Sequence, residues 1–248
     1  MALLSAGDWR RLSSSSAYTA YEGHIGGVTV VLSISGVGRA RAEAATRSFI
    51  EDVRPVSMLS LGFAGGLVSG QRVGDLVVAE TLLPVRGPRN GGGDASSMEP
   101  IASHAALSES ARQVLTQNAL RHQAGASVTA SRGVSEPEEK RRLGESTGAL
   151  AVEMESYWTA AVCEEFQVPF LAARSIVDEL DSPLPGYIVQ YALESGSQGM
   201  WRHVLPTLLR PHHAPGLINL AFAASAARRS LARFVRAFVG APVEASLV

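Results

Sequence analysis

Apolar and polar positions alternate between two periods along this chain, one of two residues and one of three to four. Residues 28–34 read Val-Thr-Val-Val-Leu-Ser-Ile, a β-branched run that predicts a buried strand. Ser35-Gly36-Val37-Gly38 ends it, and residues 39–52, rich in Ala and Arg, predict a helix. The pattern then repeats. A strand is predicted over 56–61, with Gly62-Phe63-Ala64-Gly65-Gly66 as a tight turn at its end, and another over 75–80. Residues 84–100 read as loop, with Asn90-Gly91-Gly92-Gly93-Asp94 its loosest point. A helix over 105–120 and a short strand over 126–130 follow. Ser135-Glu136-Pro137-Glu138 has the spacing of a capping box opening a charged helix. Met154, Tyr157, Trp158, Ala161, Val162 and Phe166 recur at helical spacing and predict one buried face. Residues 168–173 predict a strand leading to Arg174-Ser175-Ile176-Val177-Asp178. The chain from about 198 onward predicts helix, broken at Pro206, Pro211 and Pro215.

Strands alternating with helices predict an α/β domain with a largely parallel central sheet. In such sheets ligands bind beyond the carboxyl ends of strands. The Ser35–Gly38 turn, the Gly62–Gly66 stretch and Asp178 all fall at such ends.

Composition narrows the function. The 248 residues, 46% of them hydrophobic, suffice for one large core. A formal net charge of −1 supplies no basic surplus for nucleic acid. The single cysteine, Cys163, excludes an internal disulfide and suits a reducing, cytoplasmic setting. The start has no secretory pattern, because Ala2-Leu3-Leu4 is short and Asp8-Trp9-Arg10-Arg11 follows. The apolar stretch 214–227 is too short to cross a bilayer and reads as a buried helix or one lying on a membrane surface. Ser13 to Ser16 reads as a polar connector. The six histidines show no ligand spacing, so neither a metal nor a cofactor is expected.

Three groups carry candidate chemistry. The turn at Ser35 and Gly36 suits either backbone N–H contact to an anion or ribose, or a plain strand-to-helix turn. Glu153-Met154-Glu155 places two carboxylates before an apolar helix. A carboxylate accepts two hydrogen bonds and matches a vicinal diol, and it also caps a helix N-terminus. Asp178, beyond a buried strand, suits a cap or an acid kept neutral by burial.

Together these stretches resemble the nucleoside phosphorylase/nucleosidase superfamily. The resemblance rests on Leu61-Gly62-Phe63-Ala64-Gly65-Gly66-Leu67 with Val73-Gly74-Asp75-Leu76-Val77-Val78, and on Ala151-Val152-Glu153-Met154-Glu155 with Arg174-Ser175-Ile176-Val177-Asp178. Within that superfamily it resembles the methylthioadenosine/S-adenosylhomocysteine nucleosidases. The tail, Asp181-Ser182-Pro183-Leu184-Pro185 and Leu208-Leu209-Arg210-Pro211, resembles the hopanoid-associated branch that removes adenine from adenosylhopane. The resemblance implies a three-layer αβα fold with a mixed, largely parallel sheet. It implies one domain over 1–248, with a divergent segment at 1–17 and a helical extension at 198–248.

Site roles implied by the resemblance fall on matching positions. Asp178 protonates the departing purine. Glu155 holds the ribose diol, with Met154 against the sugar and Glu153 beside them. Ser131, Gly133 and Val134 meet the base through backbone groups, Gly133 standing where relatives often carry an aromatic ring. Ser35, Gly36, Phe63, Ala64 and Gly65 line the sugar and nucleophile side. The expected reaction is hydrolysis of a 5′-substituted adenosine. Two alternatives stay open. Arg39 and Arg41 leave room for phosphate as the nucleophile, and relatives open with a strand and a water-activating glutamate that has no match here, which leaves room for a nucleoside binder. Glu22 does not fit that role. A homodimer is expected from the helix bearing Tyr157 and Trp158, and peripheral membrane contact if the substrate is a lipid.

Overall fold

The computed structural model describes residues 9–14, 17–85, 98–181 and 214–241. The stretches 90–94, 182–185 and 208–211, with the helix expected from 198 to 213, lie outside the described residues.

Three strands open the chain: β1 (Arg10–Ser14), β2 (Thr19–Ile25) and β3 (Val28–Ile34), an antiparallel sheet in that order. Gly26 and Gly27 form the two-residue turn between β2 and β3 with φ of 58° and 82°, a conformation that favours glycine. The polar connector expected at Ser13 to Ser16 is corrected at its start: Ser13 and Ser14 belong to β1 and pair with Ala20 and Thr19. Its cross-strand partners, rather than its own composition, make this segment a strand.

Helix α1 (Arg39–Val53) starts where the glycine turn predicts. Strand β4 (Met58–Gly66) then runs straight through the run expected to be a turn. These glycines sit in extended backbone, and at Gly66 another side chain fills the space a Cβ would take, whereas at Gly62 a Cβ would make ordinary contact. A Cβ on Gly62 would stand 3.4 Å from the Arg174 guanidinium, and one on Gly66 would strike Gln71 Oε1 at 2.5 Å.

The chain continues as β5 (Leu76–Pro84), β6 (Ile101–Ala102), α2 (Ala105–Gln117), β7 (His122–Thr129) and α3 (Pro137–Thr147). It then forms β8 (Ala151–Glu153), α4 (Ser156–Glu165) and β9 (Phe170–Asp178), and α5 (Ala214–Gly240) is the last helix. The capping box does not form. Glu136 is the N-cap without a side-chain hydrogen bond, and Pro137, whose fixed φ suits a first turn, starts α3. Glu138 instead pairs with Arg141 and Arg142.

The six strands of the main sheet run in the order β6-β5-β7-β8-β4-β9, and β9 also pairs with β5. Five strands therefore close on themselves, with β6 outside. Pairs β5/β7, β7/β8 and β4/β9 are parallel, while β4/β8, β5/β9 and β5/β6 are antiparallel. This is the expected α/β class with a mixed central sheet. Helices cover two sides. Leu107, Ala111 and Leu115 of α2 and Leu231, Phe234 and Val235 of α5 pack with Leu76, Val78 and Leu171. Ile50 of α1 and Tyr157, Ala160, Val162 and Cys163 of α4 pack with Ala79, Leu82 and Phe170.

α5 turns its buried face to this core and leaves Arg228, Arg229, Arg233 and Arg236 exposed. Among the described residues no helix is long and apolar enough to cross a membrane. The aromatic surplus expected on α4 is used within the chain. Tyr157 is buried and donates its hydroxyl to the Glu99 carbonyl at 3.0 Å. Trp158 meets it edge-on and carries Arg39 over its ring at 4.1 Å.

Candidate active site

Gly65 is the point from which the site is built. In the β4/β9 register Asp178 stands on one side of it, and in the β4/β8 register Val152 stands on the other. Two inter-strand spacings of about 4.8 Å separate these flanking residues, short enough for one small ligand to reach both. Met154 and Glu155 follow in the short link between β8 and α4. The Glu155 carboxylate accepts the Gly38 N–H at 2.9 Å, which ties this link to the turn after β3. Burial raises the Glu155 pKa and the neighbouring Glu153 adds to that, while the Gly38 N–H, Arg174 and the Met154 amide pull it back.

Asp178 is 5% exposed, and the fully buried Lys140 of α3 places Nζ 2.5 Å from its Oδ2. The same ammonium donates to the main-chain oxygens of Asp178 at 3.0 Å and Glu179 at 3.2 Å. All three of its hydrogens are therefore placed. Burial lowers the Lys140 pKa, and Asp178 and Glu179 oppose that shift. The Glu179 side chain accepts the Val73 N–H at 2.8 Å. Gly65 lacks a side chain where one would crowd this arm: a Cβ would lie 3.2 Å from Lys140 Cε. The resemblance set Gly65 beside the sugar, and the structure sets it against Lys140.

Glu153 requires the clearest correction. It was expected to sit beside the ribose, and its oxygens are taken by the protein. Oε2 accepts the N–H groups of Glu155 at 2.9 Å and Ser156 at 2.8 Å. It also pairs with Arg174 Nη2 at 3.1 Å, and Oε1 accepts from the Thr129 hydroxyl. Glu153 thus caps α4, where a negative charge is favoured by the helix dipole. Arg174 is held in turn by the carbonyl and hydroxyl of Ser60, both at 2.9 Å.

The remaining expected residues divide. Phe63 is 39% exposed, a large ring left open on β4, whereas Ala64 is buried against Val77, Ala151 and Ile176 and turns into the core. Ser35 is exposed, and Gly36 lies under the stem of Arg41. Ser131 is exposed, and the Gly133 carbonyl accepts from Arg132 at 3.2 Å. Val134 packs its side chain with Leu67, Val128 and Ala130, so its main chain alone is left for a base. Cys163 is buried, and its thiol pKa is pushed up to about 12 by that burial, so it is inert. Among the described residues no acidic, histidine and cysteine cluster could hold a metal.

Sequence reasoning missed Lys140 and the Arg174 clamp. One signal for Lys140 was present: it shares a helical stripe with Leu143, Gly144 and Thr147 in an otherwise charged segment. A lysine on the inward stripe of a helix needs a buried partner.

A curled mixed sheet flanked by helices, with Asp178 and the segment leading to Glu155 on either side of Gly65, defines the architecture as an α/β protein. The chain belongs to the phosphorylase superfamily, whose profile matches residues 5–239. A 5′-methylthioadenosine/S-adenosylhomocysteine nucleosidase of Exiguobacterium sp. is 31% identical over 171 residues, 66% of this chain and 73% of that one. The enzyme of that name from Tolumonas auensis is 29% identical over 181 residues, covering 69% and 77%. Among solved structures, the nucleosidase of that name from Neisseria meningitidis, in complex with methylthio-immucillin-A, matches 94% of this chain and 90% of its own. Its TM-score is 0.71 at 22% identity. A futalosine hydrolase mutant of Helicobacter pylori matches 70% and 82%, with a TM-score of 0.62 at 25% identity.

Proposed function

We propose that this protein is a purine N-ribosyl hydrolase that releases adenine from a 5′-substituted adenosine. The buried Asp178 carries this reading, since it stands two strand spacings from the segment that leads to Glu155. As the C1′–N9 bond lengthens, positive charge grows on the ribose and electrons move to the base. Asp178 delivers a proton to the base, which makes it a better leaving group. Glu155 accepts hydrogen bonds from the ribose diol, and its negative charge sits beside the developing cation. The names of the nucleosidase and futalosine hydrolase relatives agree with this chemistry.

Water is the favoured nucleophile. A phosphate ion would need several cations. Arg39 is committed to Glu43 at 2.9 Å and to the Trp158 ring, and Arg174 to Glu153. Arg41 is left at the Gly36 turn. The deciding measurement is adenine release from methylthioadenosine and from a lipid-linked adenosine, with and without phosphate. Release without phosphate is expected. Strict dependence on phosphate, with ribose 1-phosphate formed, would replace hydrolysis by phosphorolysis.

A second reading has one observation in its favour. Glu22, the only glutamate ahead of β3, is paired with Arg10 at 3.0 Å across the hairpin. If no other group activates water, the pocket binds nucleosides without turnover. Calorimetric binding of adenine with no release from any of the substrates above is the result that selects it.

A homodimer is also proposed, supported by the groove between α1 and α4, since the α4 rings pack within the chain. This open groove of about 430 Å³ is lined by Ala40, Ala44, Ala161 and Val162, with Arg47 and Glu165. Light scattering is expected to give twice the 26.1 kDa chain mass, and a monomer mass ends the proposal.

A further inference from the structure

Among the described residues Lys140 has the largest fully buried side chain, and its ammonium ends on the carboxylate given the acid's role. Proton donation needs Asp178 in its acid form, yet a carboxylate 2.5 Å from an ammonium is stabilised as the ion. The two requirements conflict unless the proton moves within the pair.

We propose that Lys140 is a positioning residue that stores the proton Asp178 spends: the buried pair holds one transferable proton, which is shared between the nitrogen and the carboxyl at rest and passes fully to Asp178 as the base departs. This rests on the hydrolase reading above. The balance closes. The Lys140 N–H bond breaks and an Asp178 O–H bond forms; that O–H then breaks as the N7–H bond of adenine forms and C1′–N9 cleaves. Water adds its oxygen to C1′, and the proton it sheds returns through solvent to the pair. Both arrangements of the pair, ammonium with carboxylate and amine with acid, carry zero net charge, so the transfer adds no net charge to the interior. Removal from water disfavours the charged arrangement and brings the two closer in energy.

The surroundings suit this shuttle. On the β9 side Lys140 faces Asp178 and the two main-chain oxygens, with the Glu179 carboxylate turned to Val73. On the β4 side its end meets Gly65, and Val152 of β8 borders the same point; neither is charged. On α3 the nearest charged residues are Glu139, which is half-buried and pairs with Arg132, and Arg141, which is exposed. The two main-chain oxygens hold Nζ in place in either form, because a neutral amine still donates two hydrogen bonds.

The test uses the full chain and three variants. Lys140→Met must load Asp178 from solvent, so kcat/KM on methylthioadenosine is expected to fall with rising pH earlier than in the wild type, with activity recovering in acid. Lys140→Arg keeps the cation but does not release its proton. Its kcat is expected to fall about tenfold or more with KM little changed. Melting curves identify any variant that fails to fold. A pH profile unchanged in Lys140→Met, or full kcat in Lys140→Arg, overturns the proposal. A readout without turnover separates it from the hydrolase reading. In protein carrying ¹³C-labelled aspartate carboxyls, Asp178 is assigned by loss of its signal in Asp178→Asn. Its shift at neutral pH is expected between the acid and ionised limits in the wild type, and at the ionised limit in Lys140→Arg. Identical, fully ionised shifts in both reject the stored proton even where adenine is released. An intermediate shift without adenine release rejects the hydrolase and leaves the shared proton standing.

Discussion

Asp178→Asn is expected to lower kcat for adenine release by about 10²–10⁴-fold, with KM changed far less. The amide keeps the shape of the side chain and can still donate a hydrogen bond to N7, so the nucleoside remains bound. It has no acidic proton to transfer, so the departing base keeps its negative charge. The loss therefore belongs to the transition state. A second consequence concerns stability. The substitution leaves Lys140, fully buried, without its counter-ion and removes the larger of the two influences that oppose burial, leaving only that of Glu179. The folded-state pKa of Lys140 then lies further below its ordinary value of about 10.4. Between those two values the unfolded chain binds more protons than the folded one, so the variant gains stability as pH rises through that window and loses it as pH falls. Denaturant midpoints of variant and wild type across pH measure this. Unimpaired turnover in Asp178→Asn would remove the aspartate from the chemistry altogether.

What was readable in the sequence follows from where each signal resides. Strands β3, β5 and β9 are largely apolar runs, and helices α1 and α4 carry their own period, so all were placed within a few residues, whereas only the second half of the mixed strand β7 was seen. β1, β2 and β8 were missed because they are short or polar, and they are strands only because a neighbour pairs with them. The closure of β9 onto β5 has no local signal at all. The glycines of β4 were legible as sites of close approach, but not what approaches. Gly62 and Gly65 face Arg174 and Lys140, residues distant in the chain, and Gly66 faces Gln71 from the turn that follows β4, where a ligand had been expected. The same limit applied to the acids. Asp178, Glu153 and Glu155 were all visible as candidates, and residue type alone could not separate the one gripping a helix from those left to face a substrate.

Glu153 shows what that distinction is worth. Glu153→Ala is expected to destabilise the fold by about 3–5 kcal/mol, because it strands the Arg174 guanidinium inside the protein without an anion. The side chains of the pair are 1% and 2% exposed, so solvent cannot replace the lost partner. The N–H groups of Glu155 and Ser156 lose their acceptor as well, which frees the first turn of α4. For a chain of this length such a loss lowers the melting temperature by roughly 10 °C. Glu153→Gln keeps an acceptor for the helix and removes only the charge, so it is expected to fall between the alanine variant and the wild type. Replacing both partners, Glu153→Gln with Arg174→Met, is expected to be less harmful than Glu153→Ala alone, since no bare charge is then buried. Thermal melts of the four proteins settle the order. A Glu153→Ala protein that melts with the wild type would show the carboxylate to be spare, and would return it to the ribose.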